Sequence, residues 1–145
     1  MLSAVLESLN HHFYVIDAND YSIKLANSAA QFGSLKDSPK CSALTHHRDE
    51  PCEDDEHPCV LKVIKETKKP VVEEHIHFDK AGEPRIIEVH GYPLFDAEGN
   101  VGRIIEYNLD ITDRKNAENS LRDAHQLLEN IFEHTNISIA YMDPM

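Results

Sequence analysis

All three cysteines of this chain lie between residues 41 and 59, and three histidines lie in the same segment. Thiolates and imidazoles are ligands that zinc and iron take in proteins, and three or four of them that converge can close a tetrahedral site. The acidic residues around the second cysteine would attract a cation. We therefore take Cys41, Cys52 and Cys59, with His57 as the nearest histidine, as the candidate ligands of a zinc or iron ion.

The spacing of these cysteines leaves two other interpretations open. Ten and six residues separate them, whereas zinc and iron–sulfur sites are recognised by closely spaced Cys-x-x-Cys pairs. Neighbouring carboxylates also raise a thiol pKa and oppose thiolate formation. Cys52 and Cys59 could instead form a redox pair, or Cys41 could be a buried helical residue beside two loop thiols without function.

The elements that must position these residues follow from apolar periodicity and from turn residues. Apolar residues at helical spacing predict a short amphipathic helix over residues 2–10. The chain that follows is predicted to contain strands over 13–17 and 21–26, a helix cap at Asn27, an irregular acidic stretch over 36–59 and a helix over 60–68.

Three longer strands over 71–79, 84–95 and 101–111 are predicted to form an antiparallel meander. Turns at 80–83 and 96–100 would pair Ile76 with Ile87 and Tyr107 with Val89. This register gives one apolar face, which comprises Ile76, Ile87, Val89, Ile105, Tyr107 and Leu109. A slip of one residue would scatter that set over both faces, so we adopt this register.

The same register gives an opposite, polar face, which comprises Glu73, His75, His77, Glu88, His90, Glu106 and Asn108. His75 and His77 are two residues apart, so they share a face and could bind a metal ion. A face covered by solvent or by a second copy of the chain is the simpler interpretation, and we favour it.

Charge and hydropathy exclude several classes of protein. The chain carries a formal net charge of −12, with 26 acidic residues against 14 lysines and arginines. Nucleic-acid binding requires a basic patch, so we expect no nucleic-acid partner. No apolar run approaches the roughly 20 residues that span a bilayer. We expect a cytoplasmic segment without membrane contact, although the parent protein could be membrane-anchored.

From residue 114 to residue 132 the chain is charged and helical in pattern. Its apolar residues step by four and by three, which is the spacing of a heptad seam: Ala117, Leu121, Ala124, Leu128 and Ile131. We expect a homodimer that buries this seam together with the N-terminal helix. Its contact residues would be Leu2, Val5, Leu9, Leu121 and Leu128. A single helix packed on its own domain is the alternative.

Residues 128–143 repeat the pattern of residues 2–17 at a constant offset, with identical Leu, Glu, Asn and Asp residues. The chain is therefore predicted to start a second copy of its own domain. The predicted boundaries are an amphipathic helix over 1–12, a core domain over 13–113, a helix over 114–132 and the start of a second domain over 133–145.

Several short motifs stand in a characteristic order. They are Leu-Glu-Ser-Leu at 6–9, Val-Ile-Asp at 15–17, Lys-Pro-Val at 69–71, Tyr-Pro-Leu-Phe-Asp-Ala-Glu-Gly at 92–99 and Leu-Asp-Ile-Thr-Asp-Arg-Lys at 109–115. Over residues 1 to about 113 the chain resembles a PAS sensor domain with a PAC-type ending. The resemblance implies an α+β fold in which a five-stranded antiparallel sheet carries short helices on one face, flanked by N- and C-terminal helices.

The resemblance also implies a cavity between the sheet and the helices. Its candidate lining residues are Val15, Phe32, Ile64, Ile76, Ile87, Val89, Ile105 and Tyr107. Flavin is disfavoured because the chain lacks an Asn-Cys-Arg-Phe-Leu-Gln-like motif and has no tryptophan. Haem is disfavoured because the helix over 60–68 has no histidine. The cofactor is left open, with zinc or iron as the candidate.

PAS modules commonly regulate kinases, cyclases or chemoreceptors, so the resemblance implies a sensory module. A sensor histidine kinase is the parent that we favour, and a diguanylate cyclase is an alternative. The junction Asp110, Thr112 and Arg114 would pass a ligand, metal or redox signal to the C-terminal helix. A ligand-free dimerisation or docking module is a second hypothesis, and a Cys/His metal enzyme is a distant third.

Overall fold

The computed structural model describes residues 1–50, 52 and 59–142, with side chains described as far as residue 135. The chain forms two compact units, Met1–Ile111 and Thr112–Met145. The first unit contains helices α1 (Leu2–Glu7), α2 (Cys41–Thr45) and α3 (Val60–Thr67) and a short 3-10 helix, Ser28–Ala30. Its strands are β1 (His12–Asp17), β2 (Ile23–Ala26), β3 (Val71–Phe78), β4 (Pro84–Phe95) and β5 (Val101–Asp110). The second unit is helix α4, Thr112–Met142.

The five strands form one antiparallel sheet in the order β2-β1-β5-β4-β3. We call the face that packs against α3 the inner face and the opposite one the outer face. The inner face and the helices enclose a core whose fully buried side chains include Tyr14, Ile16, Ile23, Ile64, Val89 and Ile104. The predicted α+β architecture, with five antiparallel strands and short helices on one face, is confirmed.

Asn27 caps the 3-10 helix as predicted, and it also ties the N-terminal segment to the sheet. Its side-chain oxygen accepts hydrogen bonds from the backbone N–H groups of Ala30 and Phe13. Its side-chain amide donates to the carbonyl oxygens of Leu6 and His11. Because Asn27 is buried, these bonds replace water at groups that would otherwise be costly to bury.

The register of the meander differs by one residue from the predicted one. His75, and not Ile76, lies opposite Ile87, and Asn108, and not Tyr107, lies opposite Val89. The predicted apolar face was therefore wrong for two of its three strands. The buried residues of β3 and β5 on the inner face with Ile87 and Val89 are His75, His77, Ile104, Glu106 and Asn108.

Two local features cause this difference. Asp79 belongs to the first loop, because its carboxylate accepts hydrogen bonds from the N–H groups of Ala81 and Glu83. The loop is one residue longer than predicted, and Phe78 pairs with Pro84. In the second hairpin Phe95 pairs with Val101 as predicted, but Gly102 forms a bulge that shifts every later pair by one.

Two predicted segments also differ from the structure. The stretch over 36–59 was predicted to be irregular, yet residues 41–45 form α2 and bury Cys41, Ser42 and Thr45. The repeat predicted a strand near residues 139–143, whereas α4 continues to Met142. A helix satisfies its backbone hydrogen bonds within the segment, whereas a strand requires a partner. The predicted domain boundary at 113 lies close to the boundary at Ile111.

Gly91 should be needed where α3 crosses the sheet. A Cβ atom at this position would lie 2.5 Å from Ile64 Cδ1 and 2.7 Å from Val60 Cγ1. We expect Gly91→Ala to lower the free energy of unfolding, measured in urea, by about 1–3 kcal/mol through overpacking. Gly102→Ala is the matched control, because its Cβ would meet only ordinary contacts at 3.6 Å or more. Equal losses in both variants would contradict this packing role.

Candidate functional site

A small cavity lies between the inner face of the sheet and helices α2 and α3. It has about 30 Å³ of free space, room for only a water molecule or a single ion. Its lining contains three histidines, three cysteines and a glutamate beside apolar residues; the polar members are Tyr21, Cys41, Ser42, Thr45, His46, Cys52, Cys59, His75, His77 and Glu106. Groups that bind metal ions therefore dominate its polar surface.

The three histidines of the cavity come within reach of one another. His46 follows the last turn of α2, and His75 and His77 project from β3 onto the inner face because they are two residues apart. One ring nitrogen of each lies within 4.8 Å of the others. The ring centroid of His46 is 4.5 Å from that of His77 and 5.7 Å from that of His75.

Burial keeps these imidazoles in an apolar environment. His75 is 5% exposed and His77 is 8% exposed. Burial, followed by repulsion from His46 and His75, holds the pKa of His77 well below its usual range. His77 is therefore neutral at physiological pH, and neutral imidazole is the form that binds a metal ion.

A chain of hydrogen bonds orients His46. The hydroxyl of Thr45 donates to the carbonyl oxygen of Cys41 at 2.8 Å, so its oxygen can accept from Nδ1 of His46 at 2.8 Å. Nδ1 also lies 3.2 Å from the sulfur of Cys52. This arrangement favours the tautomer that has its proton on Nδ1 and its lone pair on Nε2.

The three thiols lie in different settings around the cavity. Cys41 is buried on α2, Cys59 precedes the first turn of α3, and Cys59 and Cys52 are half-buried. Burial raises the pKa of all three, that of Cys52 to about 11. Each thiol therefore holds its proton at neutral pH, and a bound metal ion would be needed to displace it.

Glu106 is the carboxylate of the cavity, and it is fully enclosed. Burial raises its pKa to about 7, partly offset by a hydrogen bond from Tyr14. Asn108 donates in turn to the Tyr14 hydroxyl at 2.5 Å, while its own side-chain oxygen has no hydrogen-bond partner among the described residues. Since these groups belong to β1 and β5, they join the cavity to the centre of the sheet.

The structure distributes the predicted lining residues over both faces of the sheet. Ile64, Ile87 and Val89 are buried in the core, and Phe32 packs against Tyr14 with ring centroids 5.1 Å apart. The outer face holds the others: Val15, Ile76, Ile105 and Tyr107. Of the eight predicted residues, Val89 alone lines the small cavity.

A second cleft of about 440 Å³ adjoins the first, and Thr45 and His77 line both of them. Phe32 and Ile87 line it, together with Arg85 and Asp110. Arg85 donates from Nε to Asp110 Oδ2 at 2.8 Å. The predicted junction residue Asp110 thus lies on this cleft at the end of β5.

Cys41, Cys52 and Cys59 all line the small cavity, but none of their sulfurs belongs to the group whose ligand atoms lie within 4.8 Å of one another. His57 lies outside the described residues. Sequence reasoning placed His75 and His77 on an exposed face, because the predicted register was shifted by one residue. It also placed Glu106 on that face, as a neighbour of His90. The His-x-His pair on a strand was the available signal for this site.

Comparisons with known proteins agree with this architecture. The family described as PAS fold matches residues 6–116, and the chain belongs to it. Among curated proteins, no match was found. Within the described residues, no helix is both long and apolar enough to cross a membrane.

Solved structures with a similar fold come from several kinds of protein. An RNA-binding light-oxygen-voltage receptor aligns with a TM-score of 0.68 at 20% identity, over 86% of this chain and 36% of that one. The chain therefore spans about a third of that receptor. A sensory box histidine kinase/response regulator from Burkholderia thailandensis aligns at 0.57 and 18% identity, over 89% and 98% of the two chains. The PAS domain of the fruit-fly ELK potassium channel aligns at 0.57 and 19% identity, over 77% and 94%.

Glu106 should make stability depend on pH. Its pKa is about 7 in the folded chain against 4.5 for an ordinary glutamate, so the folded state binds more protons between these values. The contribution of Glu106 to stability should fall as pH rises from about 4.5 and level off above about 7, by on the order of 3 kcal/mol, whereas the lowered pKa of His77 makes stability rise with pH over part of this range. Urea unfolding of chelator-treated protein at each pH measures this fall, and Glu106→Gln should remove it. An identical pH profile in the variant would refute the assignment.

Proposed function

We propose that this chain is a sensory module of a signal-transduction protein. A change in the small cavity would move β5 and pass through the Asp110–Arg114 segment into α4. One observation carries the proposal. Glu106 on β5 lines the cavity, and the same strand ends at Asp110, two residues before α4 begins at Thr112.

The contacts at the end of β5 support this route. Arg85 on β4 is paired with Asp110, and the backbone N–H of Ile111 donates to the carbonyl oxygen of Ile86 at 2.9 Å. Ile111 is buried, so the last residue before α4 is anchored in the core. A displacement of β5 against β4 would alter these contacts first, and a packed interface of this kind passes on discrete shifts.

A sensor histidine kinase is the parent that we propose. The likeness to a sensory box histidine kinase/response regulator shows the shared fold and is consistent with this parent. A diguanylate cyclase remains the alternative output. The signal would be a metal ion, a redox change or a small ligand, because the cavity combines thiols, imidazoles and little free space.

Asp110→Ala should uncouple the signal from the output. The Arg85 side chain is 35% exposed and that of Asp110 is 42% exposed, so loss of their ion pair should cost at most about 1 kcal/mol of stability. In the full-length protein we expect the output to stop responding to the signal while the fold is retained, measured as autophosphorylation and by circular dichroism. Lys40→Ala, which breaks the exposed pair with Asp20, is the control. A normal response in Asp110→Ala would overturn the proposed junction.

A dimerisation module is the second candidate function, and the surface of α4 favours it. The apolar residues of the predicted seam are exposed in the single chain, with Leu121 72% and Leu128 64% exposed. Leu2 and Val5 on α1 are exposed as well, and Leu9 is half-buried. A second copy of the chain that covered the seam of α4 would bury Leu121 and Leu128 in a coiled coil.

Replacement of Leu121 and Leu128 by alanine should weaken self-association. Each leucine would lose apolar contact across the seam, and we expect the dimer dissociation constant to rise at least about tenfold. Sedimentation equilibrium of the 145-residue chain measures this. Asn119→Ala and Asn130→Ala, polar sites on the same helix, serve as controls. A chain that is monomeric at all concentrations, or a dimer that the leucine variant leaves unchanged, would overturn this second function.

A further inference from the structure

The cluster of His46, His75 and His77 places polar imidazole rings beside apolar core residues. Two of its rings are almost fully buried, beside Val60, Leu61 and Val89. Burying polar side chains costs free energy unless they gain strong partners, and an imidazole gains its strongest partner from a metal ion. The cavity that these rings face has room for one ion but not for an organic cofactor.

We propose that His46, His75 and His77 bind a single divalent ion of the zinc class and leave its fourth position to a water molecule. The site itself rests on geometry alone. Its role as the signal that the module senses rests on the sensory function proposed above. This ligand set differs from the cysteine set predicted from the sequence, because two of its histidines come from β3.

The spacing of the histidines suits one ion. Their ligand nitrogens lie within 4.8 Å of one another, and ligands about 2.1 Å from a tetrahedral ion are about 3.4 Å apart. A side-chain movement of roughly an ångström closes that difference. His75 and His77 are held on a paired strand, so the movement falls to His46 at the end of α2.

The hydrogen bonds of His46 fit this role. With its proton on Nδ1, directed to Thr45, the ring presents Nε2 as the metal ligand. Thr45 is itself held by the carbonyl oxygen of Cys41. An outer-shell partner of this kind fixes both the tautomer and the orientation of a metal-binding histidine.

The ligand type selects the ion. Imidazoles favour zinc-class ions over magnesium or calcium, which take oxygen ligands. The Glu106 carboxylate, which lines the same cavity, would balance part of the divalent charge. The sulfur of Cys52 lies 3.2 Å from Nδ1 of His46, on the side of the ring away from Nε2, and is not one of the clustered ligand atoms.

Titration of chelator-treated protein with Zn²⁺ alone tests the site. We expect one ion per chain by calorimetry and by elemental analysis. Titration with Co²⁺ should give the visible absorption of a tetrahedral ion without a thiolate-to-cobalt band, and Cys52→Ser should leave that spectrum unchanged. A thiolate-to-cobalt band that Cys52→Ser removes would overturn the all-histidine ligand set.

Variants locate the site, with controls from the same chain. We expect His46→Ala and His77→Gln each to weaken Zn²⁺ binding by more than about 100-fold, since loss of an outer-shell partner already costs roughly 10- to 100-fold. His47→Ala, next to the site but exposed, and His90→Ala, on the outer face beside Glu88, should bind normally. Circular dichroism of the metal-free variants checks that they fold. If the β3 variant His77→Gln does not fold, His46→Ala still tests the site, because His46 lies outside the sheet.

The outcomes separate this inference from the sensory function. Absence of stoichiometric binding, or binding that His46→Ala leaves unchanged, overturns the metal site even if the full-length protein still responds to another signal. Tight binding with no change in the output of the full-length protein supports the site and overturns its role as the signal.

Discussion

The alignment of β4 with its two neighbours is the constraint on which the rest of the structure depends. In a strand the side-chain period is two, so a shift of one residue exchanges the two faces. The loop at residues 79–83 sets the register between β3 and β4, and the bulge at Gly102 sets the register between β4 and β5. Together they turn His75, His77, Glu106 and Asn108 inward, where they meet Ile87 and Val89. This register creates the polar cavity.

This arrangement has an energetic cost. The inner face buries imidazoles, a carboxylate and an amide, while Ile76 and Tyr107 lie on the outer face. Hydrogen bonds from Asn108 to Tyr14 and from Tyr14 to Glu106 offset part of the cost. Local turn chemistry therefore outweighs simple hydrophobic patterning here. Buried polar groups retained against such a cost are typical of functional sites.

The cavity lies close to the proposed junction. Glu106 and Asp110 are four residues apart on β5, so the strand carries a cavity residue and a proposed junction residue together. His77 borders both the small cavity and the larger cleft that Asp110 lines. Any species that changed the position of His77 would thus act on a wall shared with the junction.

The sequence by itself determined the α+β class, the PAS fold and the cap at Asn27, because these depend on local patterns and motif order. The five-residue loop was also within reach, since Asp79 to Glu83 matches the Asp-x-x-Gly-x pattern of Asp96 to Asn100. Only the tertiary structure decided which face β3 and β5 present to the core. Hydrophobicity alone favoured Ile76 and Tyr107, and the bulge at Gly102 appears only when two strands are paired. The ligand cluster depends on that pairing, because it joins a helix end to a strand far along the chain.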